Sequence, residues 1–244
     1  MTFLRSALFN LLFLGGSALG AIVALPLLAA PSSWLIAYVR GWARLVVALL
    51  RLVCGIRLEV TGLDRIPPGG AIIAAKHQSA FDTVVWLMLL PAPVYVLKKE
   101  LLSIPVWGLL ARRGGHVAVD RKGGASALKA MVRAAQAAVG AGRPIVIFPE
   151  GTRTAPGQRV PYQPGVAALA MAAGVPVVPV ATDSGLTWGR RAFHKRPGCI
   201  RVSILPPLPA GMPRAALMTA LEAAIETESD RLLALSRPVD KSGE

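Results

Sequence analysis

From Ser6 to Val39 the chain runs for 34 residues without a charge. A helix needs roughly 20 apolar residues to cross the hydrocarbon core of a bilayer, so this run is long enough to enter one. Pro26 and Pro31 interrupt it, since proline breaks the helical hydrogen-bond ladder. The pattern therefore predicts two helices, over residues 4–25 and 33–54, joined by a Pro/Ser turn. Past Arg57 the texture changes. Short β-branched or apolar runs ("RLEVTG", "AIIAA", "VYVLKK", "HVAVD", "PIVIF", "VPVVPVA", "IRVSIL") alternate with Ala-rich helical stretches at 80–90, 104–113, 125–141, 164–173 and 213–235. Such alternation argues an α/β fold: a mixed, mostly buried sheet flanked by helices. The last residues, "SRPVDKSGE", are polar and expected to fray. The expected division is thus a two-helix segment over 1–55, an α/β domain over 56–236 and a tail over 237–244.

Composition sharpens this picture. The 244 residues are 54% hydrophobic and 16% charged. That is too apolar for an ordinary soluble enzyme and too charged for a polytopic membrane protein. A formal net charge of +14 suits an anionic partner: nucleic acid, a membrane surface or a phosphorylated substrate. Nucleic acid explains the charge but not the uncharged run, and the basic stretches lack interleaved aromatics. No acid precedes Glu59, whereas Arg5, Arg40, Arg44, Arg51 and Arg57 do. A basic, acid-free apolar segment fits an anionic membrane. A cleaved signal peptide is the alternative, since Arg5 leads into an apolar stretch and "LAAPS" resembles a cleavage region. Against it, the arginine-studded apolar pattern resumes at Trp34. Arginines on both sides of a broken hairpin place both ends in the cytoplasm. The expected location is the cytoplasmic face of a bacterial inner membrane. Cys54 and Cys199 lack redox or metal spacing and read as inert thiols in a reduced compartment. His77, His116 and His194 are scattered without metal-ligand spacing, so no metal is expected.

The candidate chemistry sits at the ends of strands, where α/β folds place their sites. "AIIAA" is a strand of buried type, followed by "KHQSAFD". His77 lies at its exit, and Asp82 opens the next helix. Five positions apart, the two do not share a helical face. A turn between them can fold the carboxylate back onto the imidazole, which fixes its tautomer and frees the other nitrogen to act as a base. A solvated histidine beside a helix-capping aspartate would look the same in sequence, because this spacing alone is a loose pattern. Three other strand ends deliver Lys99, Arg121 and Arg153. Arginine can fork onto phosphate, and Gly151 lets backbone approach closely. Several basic strand ends beside one candidate base favour a phosphate-bearing substrate.

In order, "HQSAFD", "KKELLSIPVWGLLARRGGHVAVDR", "FPEGTR" and "VPVVPVA" resemble the four blocks of the 1-acyl-glycerol-3-phosphate acyltransferases, the PlsC family. The resemblance covers about residues 57 to 205. It implies transfer of a fatty acyl group from acyl-CoA or acyl-carrier protein to a lysophospholipid hydroxyl, with no cofactor. By the same resemblance His77 matches the general base and Asp82 its orienting partner. Arg121 matches a phosphate-binding arginine. Glu150, Gly151, Thr152 and Arg153 match the acceptor-binding block, Pro179 matches the proline of the fourth, and Lys99 fits a basic position near the phosphate. Two residues depart from the pattern. Lys76 stands where the family commonly has Asn, and Ala118 where it often has an aromatic. On an extended strand end the Lys76 side chain should point away from that of His77.

A thioester is already activated, so the expected chemistry needs no covalent intermediate: His77 takes the acceptor hydroxyl's proton as the oxygen attacks the carbonyl. Backbone N–H groups beside the site are the expected oxyanion donors. No nucleophile elbow occurs, and Ser79 lacks a dedicated base. A membrane-attached thioesterase is the competing class, but it would leave the arginines without a purpose. Within the acyltransferase class, lysophosphatidate, another lysolipid such as lyso-ornithine lipid, and glycerol 3-phosphate all stay open as acceptors.

Overall fold

The computed structural model describes residues 1–120 and 123–236. The chain begins with two long helices, α1 (Thr2–Val23) and α2 (Ser32–Cys54), joined by a 3-10 turn over Leu25–Leu28. The prolines act as expected: Pro26 opens the 3-10 turn and Pro31 caps α2. Gly55 ends α2 in the left-handed region (φ 68°), a conformation that costs glycine nothing. The chain then turns directly into β1 (Ile56–Thr61).

The remaining elements are β2 (Ile72–Ala75), α3 (Phe81–Leu89), β3 (Val94–Lys98), α4 (Trp107–Arg113), β4 (Val117–Val119), α5 (Gly124–Gly140), β5 (Ile145–Ile147), α6 (Gly165–Ala173), β6 (Val177–Thr182), β7 (Gly198–Ile204) and α7 (Arg214–Leu235). All seven expected strands form, and they share one sheet in the order β1-β7-β6-β2-β5-β3-β4. Every neighbouring pair is parallel except β6 and β7. α4 starts three residues later than its pattern suggested. Pro105 lacks the N–H a helix needs, and Val106 sits at φ 61°. The expected tail, 237–244, lies outside the described residues.

β2 is central, and all four of its residues are buried. A strand covered on both faces carries apolar side chains on both, and the alternation divides them between two cores. Ile73 and Ala75 join the cluster built with α1, α2 and α3; Ile72 and Ala74 join the one built with α5, α6 and α7. Phe9, Val46 and Leu50 belong to the first cluster, so α1 and α2 share the sheet's core. Arg40 is committed there too: its guanidinium donates to Leu90 O at 2.9 Å. It ties α2 to the end of α3, so one of the five N-terminal arginines is engaged within the fold.

Among the described residues, the opposite side of α1 has no partner. Leu4, Leu8, Leu11, Leu12, Leu19, Ile22 and Val23 form an exposed apolar stripe at helical spacing. α1 is also long and apolar enough to cross a membrane, the one such helix among the described residues. Its inward side is pinned by polar contacts. Lys195, buried, donates to Asn10 Oδ1 at 2.8 Å, while its own N–H donates to Ser6 Oγ at 2.9 Å.

Candidate active site

β2 ends in the middle of the sheet, so the chain leaving it emerges between the ends of β6 and β5. Lys76 and His77 are the first residues out. Alternation continues through them: Lys76 follows Ile72 and Ala74 toward α7, and His77 follows Ile73 and Ala75 toward α3. The expectation that the two side chains diverge holds.

Asp82, in the first turn of α3, closes the loop. Its Oδ2 accepts the backbone N–H groups of Gln78 and Ser79, each at 2.7 Å, and lies 3.1 Å from His77 Nδ1. Its Oδ1 accepts the Ser184 hydroxyl at 2.6 Å. A carboxylate held this way orients the imidazole and favours the tautomer with hydrogen on Nδ1. The other nitrogen, Nε2, has no hydrogen-bond partner among the described residues. The ring stacks on Phe148, with centroids 4.0 Å apart and planes 16° from parallel. Sequence reasoning missed Ser184. It follows β6 directly, in "ATDSG", and only the pairing of β6 with β2 brings it to Asp82.

The segment after β5 is laced to His77 by its backbone. His77 N–H donates to Glu150 Oε1 at 3.1 Å, Thr154 N–H donates to His77 O at 2.8 Å, and the Thr154 hydroxyl adds a third bond at 3.2 Å. Gly151, at φ 66°, makes the turn that returns its N–H to Phe148 O. The block's side chains differ in exposure. Arg153 is half-buried and Thr152 exposed, whereas Glu150 is only 3% exposed and faces inward. Through its bond to the His77 N–H, Glu150 holds the loop from inside. Burial pushes its carboxyl up to about 7, against the pull of Lys76.

Burial lowers the pKa of Arg153; Asp82 opposes that shift, and Arg190 and Arg191 add to it by repulsion. These two arginines, which sequence reasoning did not single out, occupy a turn closed by Ala192 N–H to Gly189 O. Lys195 secures the same turn by donating to Ala192 O and Phe193 O, each at 2.9 Å. Arg153, Arg190 and Arg191 have no carboxylate partner in an ion pair among the described residues. Lys99 lies just beyond β3, mostly exposed, 3.3 Å from Asp120 Oδ2. Arg121 lies outside the described residues. His116 is no second base. Burial drops its pKa to about 4, and its Nδ1 accepts Tyr95 N–H at 3.2 Å. No group of three potential metal ligands occurs among the described residues.

A sequence profile described as Acyltransferase matches residues 57–183, which spans both the His77–Asp82 loop and the Glu150–Arg153 turn. The chain belongs to the acyltransferase family. It is 38% identical over 172 residues to the 1-acyl-sn-glycerol-3-phosphate acyltransferase of Pseudomonas aeruginosa, covering 70% of this chain and 67% of that one. It is 32% identical over 169 residues to the human 1-acyl-sn-glycerol-3-phosphate acyltransferase alpha, covering 68% and 60%. The chain thus spans about three fifths to two thirds of these relatives' length. The crystal structure of the 1-acyl-sn-glycerophosphate acyltransferase PlsC from Thermotoga maritima superimposes with a TM-score of 0.77, over 98% of this chain and 100% of that one, at 21% identity. At that identity the likeness speaks for the fold, including the paired helices at the N-terminus. Lys76, directly before His77, is enclosed and not solvated.

Proposed function

We propose that the protein transfers a fatty acyl group from acyl-CoA or acyl-carrier protein to the sn-2 hydroxyl of 1-acyl-glycerol 3-phosphate, forming phosphatidic acid for phospholipid biosynthesis. The observation that carries this reading is the His77–Asp82 pair, 3.1 Å apart, with a half-buried Arg153 close enough to Asp82 for their charges to interact. Nε2 takes the hydroxyl proton while the oxygen attacks the thioester carbonyl. The Asp82 carboxylate stabilises the imidazolium that results. The tetrahedral intermediate then collapses, the C–S bond breaks, and the departing thiolate takes the proton from His77 Nε2. Arg153, with Arg190 and Arg191 near it, meets the acceptor's phosphate; Arg121, Thr152, Gly151 and Lys99 belong to the same reading as acceptor contacts. No cofactor takes part.

We read α1 and α2 as the membrane attachment, at the cytoplasmic face. An acyl chain gains about 0.8 kcal/mol per CH₂ on burial, so drawing the lipid acceptor into water would oppose the reaction. The outer stripe of α1 lets the site meet the acceptor within the leaflet. Both named relatives are 1-acyl-sn-glycerol-3-phosphate acyltransferases, which supports the choice of acceptor.

Full-length protein in detergent, given labelled acyl-CoA with and without lysophosphatidate, tests this directly. Label should enter phosphatidic acid only when the acceptor is present. Label released as free fatty acid at the same rate in both samples would mean a thioesterase and would overturn the reading.

A further inference from the structure

Behind the base, on the opposite side of β2, lies a charged cluster that the transfer chemistry does not use. Lys76 Nζ sits 2.6 Å from Glu226 Oε1 on α7 and 3.6 Å from Glu150 Oε1. It also donates to Gln158 O at 3.5 Å. The Tyr162 hydroxyl donates to the same Glu226 oxygen at 2.7 Å. Lys76 is 1% exposed, and Glu150, Glu226 and Tyr162 are all buried. Burying a lysine and two glutamates together is costly, and well-packed apolar residues of similar volume commonly do as well or better for stability. Stability alone does not account for the cluster.

Its wiring points to the active site. Glu150 Oε1 faces Lys76 and also accepts the His77 N–H, while Glu150 Oε2 meets no donor among the described residues. One ammonium faces two carboxylates, so the cluster carries one negative charge too many unless a proton is kept. Lys76 and Glu226 are the closely joined pair; Glu150 is the odd carboxylate. The groups facing it are Lys76 and the His77 backbone from the end of β2 and Glu226 from α7, with Tyr162 bound to Glu226. Burial raises the pKa of Glu150 to about 7; Lys76 lowers it and Glu226 raises it.

We propose that Lys76 and Glu226 are positioning residues for the base: through Glu150 they set how firmly the His77 backbone is held, and so couple α7 to catalysis. The proposal rests on the reading of His77 as the base. Ionised Glu150 is the stronger acceptor for the His77 N–H, so the ionised form is the competent one. Activity then rises with pH as Glu150 gives up its proton. Removing Lys76 deprives the carboxylate of its cation and delays that ionisation to higher pH. Neutralising Glu226 removes a like charge and leaves Lys76 to Glu150, which advances it to lower pH.

The test is the pH dependence of kcat for full-length, detergent-solubilised protein with lysophosphatidate. It compares wild type with Lys76→Met, Glu226→Gln, Glu150→Gln and the Glu150→Gln/Glu226→Gln double variant. The acid limb should move up in Lys76→Met and down in Glu226→Gln. KM for donor and acceptor should stay within about twofold, as expected for groups that touch neither substrate. In the Glu150→Gln background the Glu226→Gln shift should vanish. That arm separates transmission through Glu150 from a direct effect of the charges on the imidazole. Glu226→Gln preserves size and hydrogen-bonding capacity, so it keeps the test open if Lys76→Met fails to fold. Unmoved limbs, shifts of the same sign, or a Glu226→Gln shift that persists without Glu150 would each overturn the proposal. A wild type that transfers nothing to lysophosphatidate would instead sink the functional reading.

Discussion

Asp82 accepts four hydrogen bonds: two from backbone N–H groups, one from Ser184 and one from His77. The first two hold the carboxylate at the start of α3, so its position does not depend on the imidazole. An asparagine here would keep the size but lose the charge that supports imidazolium. Asp82→Asn should therefore lose kcat by on the order of 10⁴, by analogy with triad carboxylates. His77→Ala should be inactive, and both variants should melt cooperatively near the wild-type temperature. Near-normal turnover in His77→Ala would end the account of His77 as base. The pair was legible in sequence because both members lie in one short segment, and a turn is enough to join them. Ser184 and Glu226 were not. They lie 102 residues from Asp82 and 150 from Lys76, and only the strand order brings them close. Glu150 was legible as a motif residue but not as an inward one. Its direction depends on the turn at Gly151 and on a lysine whose burial no local pattern reveals.

At the level of elements, the apolar runs of the α/β domain were legible because a central strand must be apolar on both faces and its flanking helices on one. The ends of elements were less so. α4 begins late because Val106 adopts a left-handed backbone, which a β-branched residue rarely does. α1 and α2 read alike in sequence, as two apolar helices, yet differ in structure. α2 buries Val46 and Leu50 in the core and spends Arg40 on Leu90, whereas α1 keeps a leucine stripe outside. That stripe leads to an expected outcome. Membranes containing the full-length protein, washed with high salt or with carbonate, should retain it, because apolar burial is not screened by ions. Replacing Leu4, Leu8, Leu11 and Leu19 together by Gln should release it under the same washes. Release of the wild type by salt alone would make the attachment electrostatic and the α1 reading wrong.

Across the whole molecule, the sheet separates two tasks. On one side α1, α2 and α3 share a core with the strand that leads to His77. On the other, α5, α6 and α7 share a core with the alternate residues of the same strand, and there Lys76 meets Glu226. The strand order was not legible. β7 inserts between β1 and β6, parallel to one and antiparallel to the other, and periodicity says nothing about such neighbours. The same topology carries the Arg190–Arg191 turn between β6 and β7 toward Arg153, so the basic cluster is assembled from two distant segments. A cluster of that kind should select its acceptor by charge. The most direct measurement is kcat/KM for two acceptors that differ only in the phosphate, lysophosphatidate and the matching monoacylglycerol, with full-length protein and one acyl donor. A preference for lysophosphatidate of about 100-fold or more is expected, since charge-assisted hydrogen bonds to a phosphate contribute roughly 1.5–3 kcal/mol each. Equal use of the two acceptors would contradict the account.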